Sequence, residues 1–304
     1  MNQWTTVSIV PTGGDGVRPG RTLCARLDEI AGLVALEPGV LGIEIAGPDT
    51  WGAPDPHLVA YATREAGPAV AQRAEAIADA FGVAVTCEVA HHEGDDYLDA
   101  WKAFHPPLWC GRTRTLLVQP SWLAPPTEPP RTTVILDPGR AFGTGRHAST
   151  RLCLDWIANR PRPFPRAVLD LGCGSGVLAI AAALRFGARV TAVDADPDAV
   201  DATRENAAAN RAPLHAWAGD VADAPEGPFD CVLANIRPDV LVPNAAAIFD
   251  RVGEGGLAVL SGILAEEADE VRRAYEAAGA RTRAAAEIDG WTLVEAHRPT
   301  GTPR

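Results

Sequence analysis

The chain has 304 residues, of which 47% are hydrophobic and 22% are charged, and its formal net charge is −12. This composition is typical of a globular protein with room for one large domain and one smaller domain. An acidic chain without clustered Lys and Arg argues against nucleic acid or an anionic membrane as a partner, and it suits a basic partner.

The cysteines and the N-terminus indicate a cytoplasmic protein. The six cysteines are scattered, without a C-x-x-C pair, so we expect neither a zinc site nor a disulfide framework. The N-terminus lacks a basic segment followed by an apolar run, and no stretch approaches the roughly 20 apolar residues of a membrane helix.

The first 94 residues predict a small domain of their own. The element order is β-α-β-β-α-β, which is typical of ferredoxin-like domains. The predicted elements are Thr5–Val10, Thr22–Leu36, Val40–Ile45, Leu58–Thr63, Pro68–Phe81 and Val83–Ala90. The run from His91 to Glu93, followed by Asp95 and Asp96, is either a metal cluster or a solvated loop, and we favour the loop.

Residues 95–130 are predicted to connect two domains. A short helix over Tyr97–Phe104 and a strand over Thr115–Val118 are expected here, and five prolines keep the rest extended. Trp101, Trp109 and Trp122 either pack the joint between the domains or grip a substrate.

A glycine-rich segment follows a predicted strand over Thr132–Leu136. Its residues are DPGRAFGTGRHAST, and a helix is predicted from Ser149 to Ala158. The glycines allow the backbone to approach a ligand closely, and Thr150 offers a hydroxyl at the start of the helix. The segment is either a ligand-binding loop or a flexible surface loop.

A second glycine turn separates a predicted strand, Ala167–Leu171, from a predicted helix, Val177–Phe186. A parallel strand that ends in such a turn is where open α/β sheets bind nucleotide-like ligands. The spacing is G-x-G-x-G from Gly172, and Val177 occupies the position where a dinucleotide motif has its third glycine. A nicotinamide cofactor is therefore disfavoured.

An acidic residue at the end of the next strand narrows the class of ligand further. The strand Arg189–Val193 ends at Asp194, about twenty residues past the turn, where a carboxylate can accept hydrogen bonds from both ribose hydroxyls. With the glycine spacing, this resembles the class I methyltransferases, which use S-adenosylmethionine. After the next predicted strand, Asp220 either binds the adenine amine or is a plain loop acid.

The remaining pattern completes a predicted methyltransferase domain over residues 131–298, followed by a disordered tail over 299–304. The further elements expected are helix Asp198–Asn210, strands Leu214–Gly219 and Phe229–Ala234, helix Val240–Val252, a Gly255-Gly256 turn, strand Leu257–Ser261, helix Glu266–Ala278 and strands Arg281–Glu287 and Trp291–His297. The expected fold class is α/β, a Rossmann-like seven-stranded sheet with a small N-terminal α+β domain.

Five segments together closely resemble one bacterial family. They are LDPGRAFGTGRHASTRLCLDWI, VLDLGCGSGVLAIAA, VDADPDAV with TRENAAAN, FDCVLANI and LAVLSGIL. They resemble the PrmA family, whose members methylate large-subunit ribosomal protein eleven. The resemblance covers roughly residues 97–297, and the arrangement of the first 90 residues also looks like the substrate-recognition domain of that family.

The resemblance implies S-adenosylmethionine as cofactor and a ribosomal protein as substrate. We also expect a monomeric enzyme without direct nucleic-acid contact. The residues expected to bind the cofactor are Phe142, Thr144, Thr150, Gly172, Gly174, Asp194, Asp220 and Asn235.

Asn235 and His147 are the candidate catalytic residues. The amide oxygen of Asn235 is expected to accept hydrogen bonds from the attacking amine, and His147 either takes the proton or is structural. The sequence departs from the family at Arg237-Pro238, where an apolar and small pair is more usual. A cationic Arg237 either repels a lysine ammonium or steers an acidic group.

Two other functions fit the sequence. One is the same chemistry on a different protein lysine or on a small-molecule amine. The other is a non-catalytic module that binds S-adenosylmethionine or a nucleotide, which the set of Gly172, Asp194 and Asn235 disfavours.

Overall fold

The computed structural model describes residues 3–12, 21–46, 56–93, 107–124, 126–128, 130–136 and 145–301. The chain divides into two compact units, residues 1–105 and residues 106–304. None of the described helices combines the length and the apolar character that crossing a membrane requires.

Among its described residues, the first unit contains four strands and two helices in the predicted order. They are β1 (Gln3–Pro11), α1 (Arg21–Val34), β2 (Val40–Ala46), β3 (His57–Thr63), α2 (Gly67–Ala80) and β4 (Val85–Glu93). The strands form one antiparallel sheet in the order β2-β3-β1-β4. The apolar sides of α1 and α2 bury Leu27, Ile30 and Ala74 against Val7 and Leu58 of the sheet. This is the split β-α-β arrangement of ferredoxin-like folds.

The run His91–Glu93 belongs to β4, so the loop predicted there is wrong. His91 Nδ1 lies 3.0 Å from Thr5 Oγ1, and His92 Nε2 lies 2.9 Å from Thr6 Oγ1. The His92 ring also stacks on Trp4 with ring centroids 4.0 Å apart. Cross-strand pairs of this kind stabilise a strand whose polar sequence alone indicates a loop.

The second unit contains ten strands and six helices among the described residues. In chain order they are β5 (Leu108–Cys110), β6 (Leu116–Pro120), β7 (Thr132–Leu136), α3 (Ala148–Asn159), β8 (Ala167–Leu171), α4 (Val177–Phe186), β9 (Arg189–Asp194), α5 (Pro197–Ala209), β10 (Leu214–Ala218), β11 (Phe229–Asn235), α6 (Pro238–Leu241), α7 (Ala245–Asp250), β12 (Val252–Leu264), α8 (Ala268–Ala277), β13 (Arg281–Ile288) and β14 (Trp291–His297).

Seven of these strands form the large sheet, in the order β10-β9-β8-β11-β12-β14-β13. The first five are parallel, and β14 runs antiparallel to both of its neighbours. Two buried clusters cover the two faces of the sheet, one containing Val168 and Ile180 and the other Leu169 and Phe249. The strand order changes direction between β8 and β11, which is the point where open α/β sheets bind ligands.

A smaller sheet in the order β5-β6-β7 packs on the helices of this unit. The side chain of Asn210 pairs with the free edge of β7. Its Oδ1 accepts from the backbone N–H of Ile135 at 2.7 Å, and its Nδ2 donates to the carbonyl of Ile135 at 2.5 Å. One amide therefore satisfies both polar backbone groups of an edge residue.

Two expectations between residues 240 and 264 are wrong. Two short helices, α6 and α7, replace the single helix predicted over Val240–Val252, because Pro243 has no N–H to continue α6 and restricts the residue before it. The predicted Gly255-Gly256 turn lies inside β12. A Cβ at Gly256 would lie 2.9 Å from the carbonyl oxygen of Asp230, so this glycine allows β12 to approach β11 closely.

Candidate active site

The turn after β8 needs glycine at three positions. Gly172, Gly174 and Gly176 have φ values of +72°, +53° and +80°, a region that side chains disfavour. A Cβ at Gly172 would lie 2.3 Å from Cγ2 of Ile236. The turn therefore packs directly against the segment that follows β11.

Hydrogen bonds from the end of β9 hold this turn. The carbonyl of Val193 accepts from the backbone N–H groups of Gly172 and Cys173 at 2.8 and 3.2 Å. The Gly176 N–H closes the turn on the carbonyl of Cys173 at 2.8 Å. The turn thus has a fixed shape at the carboxyl edge of the sheet.

Asp194 lies at the end of β9, beside the glycine turn, where the sequence predicts an acid. Its Oδ2 accepts from the Gly174 N–H at 2.9 Å, and its Oδ1 accepts from the Asp196 N–H at 3.0 Å. Each carboxylate oxygen has a second lone pair, and the side chain is partly exposed. Asp194 can therefore hold the turn and still accept hydrogen bonds from a ligand.

Asn235 and Thr150 meet at the same edge of the sheet. Asn235 is the last residue of β11, and Thr150 lies in the first turn of α3. Asn235 Nδ2 donates to Thr150 Oγ1 at 3.0 Å. Asn235 Oδ1 is buried and has no hydrogen-bond partner among the described residues. The amide is thus oriented through its nitrogen, and its oxygen is left as an acceptor.

Two glycines fix the chain segment that carries Asn235. Ile236 lies against Gly172 on one side and against Gly262 on the other, where a Cβ would approach the Ile236 carbonyl oxygen to 2.8 Å. The neighbouring Ser261 donates through Oγ to the carbonyl of Ser149 in α3 at 3.1 Å. These contacts set the position of Asn235 relative to α3.

His147 caps α3. Its Nδ1 accepts from the Ser149 N–H at 3.3 Å and lies 2.7 Å from Ser149 Oγ. The ring also packs edge-on against Trp291, with centroids 4.7 Å apart. The structural interpretation of this histidine rests on these contacts, and its role as proton acceptor stays a prediction.

Three further residues were predicted to bind the cofactor: Asp220, Phe142 and Thr144. Asp220 is exposed and turns back on its own loop, where Oδ1 accepts from the Ala222 N–H at 2.6 Å. The preceding Gly219 N–H donates to the Asp194 carbonyl at 2.8 Å, which brings Asp220 close to the end of β9. Phe142 and Thr144 lie outside the described residues.

Asp170 is a residue to which the sequence analysis gave no role. It is 1% exposed, and neither of its carboxylate oxygens has a hydrogen-bond partner among the described residues. Burial raises the pKa of Asp170 to about 7; the nearby N–H of Ala179 lowers it in part, and the charge of Asp194 raises it further. The sequence does carry a signal for this residue, a single acid inside the otherwise apolar strand AVLDL, which our predictions did not use.

Arg237 lies two residues beyond Asn235 and forms a two-bond ion pair with Asp239. Its Nε and Nη2 donate to the two carboxylate oxygens at 3.1 and 2.8 Å. Both side chains are exposed. Within the described ranges, no three His, Cys, Asp or Glu side chains converge to hold a metal ion.

Comparison with known proteins identifies the family. The sequence profile described as "Ribosomal protein L11 methyltransferase (PrmA)" matches residues 53–299. The ribosomal protein L11 methyltransferase of Azotobacter vinelandii (strain DJ) is 42% identical over 216 residues, which cover 69% of this chain and 71% of the relative. The enzyme of the same name from Pseudomonas aeruginosa (strain LESB58) is 42% identical over 208 residues, 67% of this chain and 68% of the relative.

A solved structure supports the same assignment. The crystal structure of ribosomal protein L11 methylase from Lactobacillus delbrueckii subsp. bulgaricus is similar with a TM-score of 0.56 and 28% identity. The match covers 61% of this chain and 96% of that one. The predicted class I methyltransferase fold and the predicted methyltransferase activity with S-adenosylmethionine are confirmed. The chain belongs to the PrmA family of ribosomal protein L11 methyltransferases.

Proposed function

We propose that this protein transfers methyl groups from S-adenosylmethionine to amino groups of ribosomal protein L11. The observation that carries the proposal is Asn235, whose amide is held by Thr150 and whose buried Oδ1 has no partner among the described residues. This acceptor lies beside the glycine turn, where the strand order changes direction between β8 and β11. It suits an N–H donor on the substrate.

The residues of this edge fit the cofactor. The three glycines give the turn its left-handed backbone at the carboxyl edge of the sheet, where nucleotide-like ligands bind. Asp194 offers carboxylate lone pairs for the ribose hydroxyls. Thr150 and Asp220 line the same edge, and Phe142 and Thr144 complete the set by resemblance. When bound, S-adenosylmethionine supplies a methyl group on a positive sulfur, which needs no covalent help from the protein.

The chemistry requires a neutral amine in line with the S–CH₃ bond. A lysine with a pKa of about 10.4 is neutral at pH 7 only about once in 2500, a handicap of roughly 4.6 kcal/mol, and an α-amine with a pKa of about 8 carries only about 1.4 kcal/mol. A positive sulfur nearby disfavours the ammonium form. Asn235 then orients the neutral amine by accepting its hydrogen bond.

His147 is the candidate to take the proton. Its Nδ1 accepts the cap hydrogen bond of α3, so the neutral ring carries its proton on Nε2. The first role of His147 is therefore to hold the start of α3, the helix that carries Thr150.

Arg237 is compatible with a lysine substrate. Asp239 pairs with its guanidinium through two hydrogen bonds, which reduces the repulsion that a lone Arg237 would exert on an approaching ammonium. Another protein lysine or a small amine is the remaining alternative at this site.

The first domain, over residues 1–94, is proposed to recognise the substrate. The net charge of −12 suits a basic ribosomal protein and disfavours direct nucleic-acid binding. We place the enzyme in the cytoplasm as a monomer, with a connecting region over 95–130 and the methyltransferase domain over 131–298.

Intact-protein mass spectrometry of unmethylated ribosomal protein L11, incubated with the enzyme and S-adenosylmethionine, tests the proposal. The expected result is a series of mass steps of one methyl group each, absent with Asn235→Ala. If L11 gains no mass while the enzyme still binds S-adenosylhomocysteine, the L11 assignment is wrong and another amine is the substrate.

A further inference from the structure

The glycine turn is held from the side of α5 as well as from the end of β9. Thr203 Oγ1 donates to the carbonyl of Gly174 at 2.9 Å, and Asn206 Nδ2 donates to the carbonyl of Ser175 at 2.9 Å. Thr203 and Asn206 are 0% and 5% exposed, and their spacing of three residues places them on one face of the helix. Two consecutive carbonyls of the turn therefore point at α5.

Fixing these carbonyls fixes the direction of the N–H groups that follow them. A planar trans peptide carries its C=O and its N–H on opposite sides, so the N–H of Ser175 points away from α5. The Gly174 N–H donates to Asp194 Oδ2, and the Gly176 N–H closes the turn on Cys173. Hydrogen bonds thus hold the turn to α5 on one side and to the end of β9 on the other.

Close packing between Gly176 and Thr203 adds to these hydrogen bonds. A Cβ at Gly176 would lie 2.9 Å from Thr203 Oγ1 and 3.1 Å from the Thr203 Cα. The backbone of α5 lies so close to the turn that only hydrogen fits at Gly176. Without the two side-chain hydrogen bonds, the carbonyls of Gly174 and Ser175 would lack these donors, and the turn would be free to adopt other peptide orientations.

We infer that Thr203 and Asn206 are positioning residues that hold the glycine turn in the form that binds the cofactor. The motif TRENAAAN, which contains both residues, then serves to order the turn before the ligand arrives, and preorganisation of this kind raises affinity. The inference rests on the proposed placement of S-adenosylmethionine against this turn, but not on which amine is methylated.

The test is calorimetric titration of the full-length protein with S-adenosylhomocysteine. Asn206→Ala and Thr203→Val each remove one donor to a turn carbonyl, and each is expected to raise the dissociation constant about tenfold. Thr203→Ser keeps the hydroxyl and is expected to restore affinity to within about twofold of the wild type.

Arg204→Ala is the matched control on the same helix. Arg204 donates to the carbonyl of Ala216 at 3.1 and 2.7 Å, and it makes no hydrogen bond with the turn. This variant loosens α5 without releasing the turn, so its affinity for S-adenosylhomocysteine is expected to stay unchanged. Thermal unfolding of each variant sets a titration temperature at which all of them are folded.

Three outcomes overturn the inference: an equal loss of affinity in Arg204→Ala and Asn206→Ala, unchanged affinity in both Asn206→Ala and Thr203→Val, or no recovery in Thr203→Ser. Methylation of L11 is measured separately. Failure of L11 to be methylated leaves the binding result intact, so the two proposals fail independently.

Discussion

Asn235 and Thr150, which lie 85 residues apart in the chain, are joined by a hydrogen bond of 3.0 Å from the amide nitrogen to the hydroxyl oxygen. The bond links the end of β11 to the first turn of α3. Because the amide nitrogen is occupied, the amide oxygen is the atom that we propose accepts a hydrogen bond from the substrate amine. The orientation of the proposed catalytic group thus depends on a hydroxyl from another element.

Replacing Thr150 with Val keeps the shape of the side chain and removes the acceptor for the amide. We expect turnover to fall about tenfold, because the amide of Asn235 is no longer oriented. Asn235→Ala should lower turnover at least as much, and more than it lowers the free energy of unfolding. Steady-state methyl transfer and urea unfolding measure the two effects.

Thr150→Ser is the control, since it keeps the hydroxyl. It should turn over nearly as fast as the wild type. A Ser variant as slow as the Val variant would show that packing, and not the hydrogen bond, explains the loss.

Replacing Asp194 with Ala should weaken the binding of S-adenosylhomocysteine by on the order of 2 to 3 kcal/mol. The change removes the proposed ribose contacts and also the acceptor for the Gly174 N–H. Calorimetric titration gives the affinity directly.

Asp196→Ala serves as the comparison. Asp196 Oδ1 caps α5 by accepting from the Asp198 N–H at 2.9 Å, so its loss should cost about 1 kcal/mol of stability and leave the affinity unchanged. If Asp194→Ala binds the ligand as well as Asp196→Ala does, Asp194 does not belong to the site.

The local part of the site was predictable from the sequence. The apolar strand β8, the glycines at 172, 174 and 176, and the helix over Val177–Phe186 lie where the pattern predicts them. The reason is that buried strands and left-handed glycine positions are determined within a few residues. The position of Asp194 at the end of the neighbouring strand follows from the parallel order.

Contacts between distant segments were not predictable. Asn210 pairs with Ile135, 75 residues away, and this contact leaves no periodic pattern in the sequence. The packing of Ile236 between Gly172 and Gly262 leaves none either. Strand β5 has only three residues, too short for an alternation to show. The length of β12 depends on pairing with β11 and β14, which tertiary contacts decide.

Replacing Gly172 with Ala should distort the turn. The new Cβ would lie 2.3 Å from Cγ2 of Ile236, and the φ of +72° adds a conformational cost of about 1 to 2 kcal/mol for any side chain. We expect both the stability and the affinity for S-adenosylhomocysteine to fall.

Adding Ile236→Ala removes the Cγ2 atom that collides. The double variant should therefore recover more than about 1 kcal/mol relative to the sum of the two single variants, with the φ strain remaining. Urea unfolding of the four proteins measures this coupling. Strictly additive effects would mean that the turn does not rest on Ile236.

The lowered pKa of Glu295 predicts a specific pH dependence of the free energy of unfolding. The side chain is 3% exposed and accepts hydrogen bonds from Trp156 Nε1, Arg283 Nε and His297 Nε2, each at 2.8 Å. Burial alone would raise its pKa, but the hydrogen bonds from His297, Trp156 and Arg283 outweigh burial and lower the pKa from 4.5 to about 2.

Because the folded protein binds this proton more weakly than the unfolded chain does, the stabilisation from Glu295 is fully present above pH 4.5 and is lost as the pH falls toward 2. Glu295→Gln should therefore lower the free energy of unfolding by roughly 2 to 3 kcal/mol at pH 7, and the difference should shrink below pH 4.5. The exposed Glu254→Gln is the control and should follow the wild type at every pH. Urea unfolding at pH 7, 5 and 3 separates the alternatives, since a constant deficit in Glu295→Gln would come from altered packing and not from the ionised carboxylate.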